Sequence, residues 1–518
     1  MMKKFLTPVF TFFLVQVFSQ NLPPVLSNVQ TSVSGTVLTL IYDLEDEEGD
    51  LVTVSFLAGE SGSPVFNFDT GNATGDIGPG IVPGPGKTIQ WDLSAYVASL
   101  PYYRLMLVAD DLQPVDIQAI VDQVDSSRIF GDMLFLEGIR HRTTGAAHLQ
   151  QSKDFIFNQF LAKNLEAYFQ SFTFGGYQAT NIIAQHVGTS GASEVYILGG
   201  HFDSVSNSPG ADDNASAIAG TLEAMRILTN YPFKKSIKFI GFDLEEDGLV
   251  GSTRYVQQGI LPGENIAGFL CFEMIGYYTE AVNTQLFPPG FNLLFPALYN
   301  EVASEGFRGN FITNVGKVGN SVPLMDAFSN AAAAYVPDLK VKSLAAPANW
   351  QTITPDLGRS DHAPFWVADI PAVMLTDGAN FRNPHYHTPN DLTSTLNMTF
   401  LSRNVQAAIA TLAELAEVQH AGTWLADVEL PTATTEPNPC DISLSPNPAE
   451  GYLRLEWSDC QNAAPTEILV TDLHGRIHLS RKIEAHANGI FNLDVRHLAR
   501  GIYFLKMNGK GVKRVVLN

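Results

Sequence analysis

Cysteine is scarce in this chain, at three in 518 residues. That is too few for a disulfide-built scaffold, and none shows the paired spacing of a thiolate zinc site. Cys440 and Cys460 allow one bridge in an oxidising compartment, whereas Cys271, inside an apolar run, reads as a buried thiol and not a nucleophile. Positive charge is scarce too. Thirty-one Lys and Arg face 53 Asp and Glu, a net charge of -22, which repels phosphate backbones and anionic lipid and argues against nucleic-acid or membrane-surface partners. Beyond residue 20 no apolar run approaches the roughly 20 residues needed to cross a bilayer, so no transmembrane segment is expected in the mature protein. The first twenty residues pair a basic start, Met1-Met-Lys-Lys, with an apolar stretch from Phe5 to Phe18 and a small residue, Ser19. This is the grammar of a signal peptide over 1–20 and of export.

What is present is globular: 45% hydrophobic and 16% charged residues, in a chain too long for a single core. Three regions differ in pattern. From 21 to 115, short alternating strands such as Thr36 to Leu44 and Tyr102 to Ala109 are divided by Gly- and Pro-rich turns, which predicts a small β-sandwich. From 116 to 425, strands alternate with longer helical segments, for example Gly145 to Lys163 and Ala215 to Thr229, which predicts an α/β domain with a mainly parallel central sheet and flanking helices. A polar linker, 426–439, leads to a third module, 440–518, that returns to short strands and predicts a small β-sandwich. Its last 48 residues carry nine Lys or Arg against three acidic residues, the reverse of the overall balance.

In the middle region, candidate ligands recur where apolar strands end. Ser193 to Gly200 runs into His201-Phe-Asp203, Ser236 to Asp243 into Glu245-Glu246, and Ala267 to Phe272 into Glu273. In open parallel sheets the ligand crevice lies beyond the carboxyl ends of the strands, so three strands deliver such side chains to one rim. Two loops add Asp213 and His387. Two imidazoles and three carboxylates without thiolate suit zinc or a similar divalent ion, and a carboxylate can bridge a metal pair that activates water and polarises a carbonyl. A fourth carboxylate remains to take a proton. Taken singly, each piece has an ordinary reading: a surface His-x-Asp pair, an acidic first helical turn at Glu245-Glu246, an Asx-type turn at Gly210 to Asn214. Their joint occurrence at strand ends makes coincidence the poorer explanation.

The segments Gly200-His201-Phe-Asp203-Ser204, Gly210 to Ser216, Leu244-Glu245-Glu246-Asp to Ser252, Phe272-Glu273-Met-Ile-Gly276, Ser360-Asp-His362 and Tyr386-His387-Thr-Pro-Asn-Asp391 resemble the co-catalytic zinc aminopeptidases of metallopeptidase family twenty-eight. The resemblance spans about 116 to 425. It implies two zinc ions: one on His201, Asp213 and Glu273, the other on a bridging Asp213 with Glu246 and His387. It further implies that Asp203 orients His201, that Glu245 is the general base, that Tyr386 donates to a developing oxyanion, and that the Asp213-Asn214 peptide bond is cis. The family usually carries aspartate where this chain has Glu273. Asp361 and His362 are expected in the pocket wall or behind the ligands.

Leu444 to Ala449, Ile468 to Gly475, Leu498 to Leu505 and Lys513 to Asn518 are similar to the C-terminal sorting domain of type IX secretion cargo. That implies outer-membrane secretion machinery as a partner and a secreted or cell-surface location. Peptides are the expected substrates. Rival readings are a glutaminyl cyclase of the same fold, which uses one zinc and typically has tryptophan where this chain has Phe202 and Tyr386, a carboxypeptidase gripping a terminal carboxylate through Arg359 or Arg382, and a catalytically dead surface adhesin. No determinant of the preferred N-terminal residue is legible between about 280 and 358.

Overall fold

The computed structural model describes residues 21–60, 65–96, 102–163, 165–429 and, within 441–517, the strands and a few residues between them. The expected signal peptide, residues 430–440 and the Cys440 and Cys460 pair lie outside the described residues.

Seven strands open the chain: β1 (Val25–Ser34), β2 (Val37–Glu45), β3 (Val52–Glu60), β4 (Thr74–Gly75), β5 (Gly78–Ile81), β6 (Gly84–Asp92) and β7 (Tyr102–Asp110). Next come β8 (Glu166–Phe174), β9 (Tyr177–His186), β10 (Gly191–His201), β11 (Lys235–Phe242), β12 (Asn265–Glu273), β13 (Ile312–Lys317), β14 (Val341–Ala346), β15 (Ala372–Thr376) and β16 (Ala421–Glu429).

The central sheet has eight strands in the order β14-β13-β15-β12-β10-β11-β9-β8. Both faces are covered, so its strands read as near-continuous apolar runs. Along β10 the pleat sends Tyr196 and Leu198 to one face, with the helices Ser216–Leu228 and Met398–Leu415, and Val195 and Ile197 to the other, with Tyr255, Phe365 and Trp366.

The sheet is mixed: four of its seven strand pairings are parallel and three antiparallel. β15, β12, β10 and β11 run parallel to their neighbours in the centre. β8 and β9 instead form an antiparallel hairpin, because Gly175 and Gly176 both take positive φ, at 54° and 82°, and close a two-residue turn. β13 also pairs antiparallel to β15.

The N-terminal strands make two four-stranded sheets, β1-β2-β6-β4 and β16-β7-β3-β5. Leu38, Leu40, Tyr42 and Leu44 alternate inward to meet Val54, Phe56, Trp91 and Leu105 in one core. β16 lies antiparallel along all of β7, from Ala421 opposite Asp110 to Glu429 opposite Tyr102. A linker beginning at 426, and a middle domain reaching 425, therefore cut through a strand of the N-terminal sheet. Its ladder hydrogen bonds come from a segment more than three hundred residues away, a pairing that no local pattern encodes. The last region forms a three-stranded and a four-stranded sheet around Leu453, Leu455, Ile468, Val470 and Leu505.

Because β16 covers the edge of β7, a chain ending after Gln419 should unfold at a lower temperature than one ending after Glu429. Each kcal/mol lost lowers the midpoint by about 2–4 °C; equal midpoints in calorimetry would show that β16 is dispensable.

Candidate functional site

The parallel registers bring three strand ends together. His201 ends β10 opposite Phe242 of β11, three residues before Glu245, while Gly199 is opposite Cys271 of β12, two residues before Glu273. Asp203 accepts the main-chain N–H of Glu245 at 3.1 Å and of Glu246 at 3.2 Å, which ties the β11 end to the β10 end. Its Oδ1 also lies 3.4 Å from His201 Nδ1.

Asp213 arrives from the loop ahead of helix Ser216–Leu228. Asp391 accepts the N–H groups of Asp212 and Asp213 at 2.9 and 3.1 Å, and the Asp213-Asn214 bond is cis. The Asn214 side chain gives Nδ2 to the Phe272 carbonyl and accepts the Met274 N–H, fastening the turn to the end of β12. His387 follows Tyr386 in the loop after β15, and the two rings stack at 3.8 Å.

The side chains predicted as ligands therefore converge. Asp213 faces both imidazoles: Oδ1 is 3.3 Å from His201 Nε2, and Oδ2 is 3.0 Å from His387 Nε2. Glu273 Oε2 lies 3.4 Å from His201 Nε2, and Glu246 Oε1 lies 3.4 Å from His387 Nε2. Glu245 Oε2 stands farther off, 3.9 Å from His201 Nε2. Ligands about 2.0–2.2 Å from one tetrahedral ion sit about 3.3–3.5 Å apart, which the 3.3 and 3.4 Å spacings fit, while Asp213 and His387 at 3.0 Å are closer. His387 Nε2 and Glu246 Oε1 are buried atoms without a hydrogen-bond partner, facing the same point. A carboxylate oxygen and an imidazole nitrogen left unpaired in this way each offer a lone pair that fits a cation.

The electrostatics agree. Burial, with Glu273, Glu246 and Asp361 nearby, pushes Glu245 well above the carboxylate range, although His201 pulls the other way. Burial and the Asp213 charge raise Glu246 to about 7. Burial opposes the charged form of both imidazoles, but the surrounding carboxylates outweigh it; His201 is raised well above its usual value and His387 to about 10. Burial would raise Asp213, yet the two histidines hold it well below its usual value. Protons thus bind where a dication would bind, and a dication would displace them.

The segment Ser360-Asp-His362, whose Asp361 and His362 are expected in the pocket wall or behind the ligands, lies beside Glu273. Ser360 donates to Glu273 Oε2 at 2.6 Å, so the Ser-Asp-His segment supports a candidate ligand. Asp361 is buried behind it, next to Glu245 and Glu273 in the same electrostatic cluster. His362 Nε2 meets the Leu357 carbonyl at 2.8 Å, and its ring lies edge-on to Trp366. Cys271 is a free, buried thiol, pushed up by burial.

Beside the cluster opens a cleft lined by Glu273, Arg359 and Tyr386 and walled by Phe287, Phe291, Leu298, Phe311, Leu344 and Met374. Tyr386 Oη accepts from Arg359 Nη2 at 3.1 Å at this junction. Arg382 is buried, giving Nε to Gln285 and Nη1 to the Phe311 carbonyl.

Residues 181–412 match Peptidase family M28, and residues 443–518 match a secretion system C-terminal sorting domain. The chain belongs to peptidase family M28. It is 31% identical to the uncharacterized protein YfbL of Escherichia coli over 51% of this chain and 80% of that one. It is 26% identical to leupeptin-inactivating enzyme 1 of Streptomyces exfoliatus, over 60% of this chain and 63% of that one. It is 28% identical to the probable lipoprotein aminopeptidase LpqL of Mycobacterium tuberculosis, over 44% of each. The chain thus spans less than two thirds of the latter two relatives.

Zinc added to metal-free protein should raise the thermal midpoint in a concentration-dependent way, by about 4 kcal/mol of stability at a thousand times the dissociation constant. A midpoint indifferent to zinc in differential scanning calorimetry would contradict the fit of this cluster to a metal.

Proposed function

We propose that this protein is an exported di-zinc aminopeptidase that removes large apolar residues from the N-termini of peptides. The observation that carries the reading is Asp213, whose two carboxylate oxygens each reach a different buried or half-buried imidazole. That is the arrangement of a carboxylate bridging a metal pair. His201, Asp213 and Glu273 would hold one zinc, and Asp213, Glu246 and His387 the other. Zinc supplies a water of lowered pKa and polarisation of the scissile carbonyl.

Glu245 lies close enough to His201 and Glu273 to share an ion with them, but at 3.9 Å it stands farther from His201 Nε2 than Asp213 and Glu273 do, which suits a base beside the ligands. It takes the proton from the attacking water and returns it to the departing amine. Tyr386, held by Arg359, offers its hydroxyl toward the negative charge that develops on the carbonyl oxygen. Asp203 keeps Glu245 and Glu246 in register with His201 through their main-chain N–H groups. The acidic surround favours a substrate ammonium group. The apolar cavity opening at Glu273 receives the side chain that precedes the cleaved bond, and its aromatic walls suit leucine, methionine or phenylalanine. Arg382, one of the two candidates for gripping a terminal carboxylate, is buried with Nε and Nη1 bonded to Gln285 and Phe311, which weighs against a carboxypeptidase. The sorting-domain match supports type IX export to the exterior or cell surface.

Glu245→Gln should retain zinc while losing about 10²- to 10⁴-fold in kcat. Leucyl and phenylalanyl anilides should exceed aspartyl and glycyl ones by at least about tenfold in kcat/KM. Zinc content and anilide hydrolysis measured side by side test both. A Glu245→Gln enzyme as active as its parent would remove the assigned base, and a preference for acidic residues would remove the assigned pocket.

A further inference from the structure

Arg140 is fully buried and lies outside the ligand cluster, with its guanidinium directed at five main-chain carbonyls. Nε donates to Phe202 O at 2.7 Å, the residue after His201. Nη2 donates to Gly210 O and Nη1 to Pro209 O, both at 2.7 Å, in the loop that leads to Asp213. Nη1 also meets Leu136 O and, at 3.0 Å, Gly138 O, which anchors the group to the end of helix Ser126–Leu136. The main chain of Arg140 joins in: its N–H donates to Ser204 Oγ at 2.9 Å, and Ser204 Oγ donates onward to Ser208 O at 3.1 Å.

Gly210 is matched to this arrangement. Its φ of 62° belongs to glycine, and a Cβ there would stand 2.8 Å from Arg140 Nη2. Five carbonyl oxygens converging away from water repel one another unless a cation with a fixed fork of donors lies between them. Lysine has three donors on one atom and cannot span them.

We propose that Arg140 is a positioning residue for the metal centre: it locks the segment bearing His201 to the segment bearing Asp213, so that zinc affinity depends on it. This rests on the metal-binding reading above. A purely structural role would lower global stability and leave the affinity of the folded protein unchanged; a positioning role weakens zinc binding in protein that is still folded.

The test is competitive zinc titration against a chromophoric chelator, on the full chain and its Arg140→Lys, Ser204→Ala and Arg226→Lys variants, with circular dichroism of each metal-free form. Arg226, whose two Nη atoms fork onto Asp132, is the control for loss of a guanidinium fork elsewhere. The expected result is parent-like spectra with zinc bound at least about tenfold more weakly in Arg140→Lys, a smaller weakening in Ser204→Ala, and none in Arg226→Lys. Parent-like zinc affinity in folded Arg140→Lys overturns the proposal. If that variant does not fold, Ser204→Ala decides: unchanged affinity overturns the proposal, and weakened affinity supports it. A parent chain that binds no zinc would instead refute the metal-binding reading itself.

Discussion

Packing several carboxylates into one water-poor site is the constraint around which the middle region is organised. Asp203, Asp213, Glu273 and Asp361 are buried together, with Glu245 and Glu246 little exposed beside them. Charges of one sign at such separations cannot all persist in a protein interior without positive partners and directed hydrogen bonds. The partners are His201 and His387 across Asp213 and the guanidinium of Arg140 behind it; the hydrogen bonds come from main-chain N–H groups and from Ser360. A divalent ion would complete that balance.

The scaffold supplies this at low cost because parallel strands end in step. β10, β11 and β12 are adjacent and parallel, so residues just beyond each strand reach one rim without long excursions. The two loop-borne residues need more support, and they receive it: Asp391 holds the main chain at Asp213, Asn214 ties the same turn to β12, and the Tyr386 ring braces His387. Glu273 is held at the end of β12 by the Ser360 hydroxyl, which donates to its Oε2 at 2.6 Å.

The wall of the cavity and the bracing residues lay beyond sequence reasoning for one physical reason. Phe287, Phe291, Phe311 and Met374 are ordinary core-like residues in the chain, and only their arrangement around an opening at Glu273 turns them into a pocket. Arg140 stands among other basic residues in Gly138-Ile-Arg-His-Arg142, with nothing to mark it as the one that is buried. Ser360 could have been found by asking which neighbour pairs with the unusual glutamate, but the distance between them is a property of the fold.

By itself the sequence determined the alternation that makes a two-sided sheet and which side chains lie at strand ends, because apolar periodicity and the residue types at strand ends are local signals. Tertiary structure decided what depends on distant partners. The sheet is mixed because Gly175-Gly176 closes a hairpin and β13 pairs in the reverse direction. The N-terminal sheet is completed by β16, a strand that reads locally as domain end and linker. Asp213 reaches both imidazoles only after two loops and three strand ends have been folded onto one rim. Side-chain chemistry is carried residue by residue along the chain, but spacing within a few ångströms exists only when segments hundreds of residues apart are packed against one another.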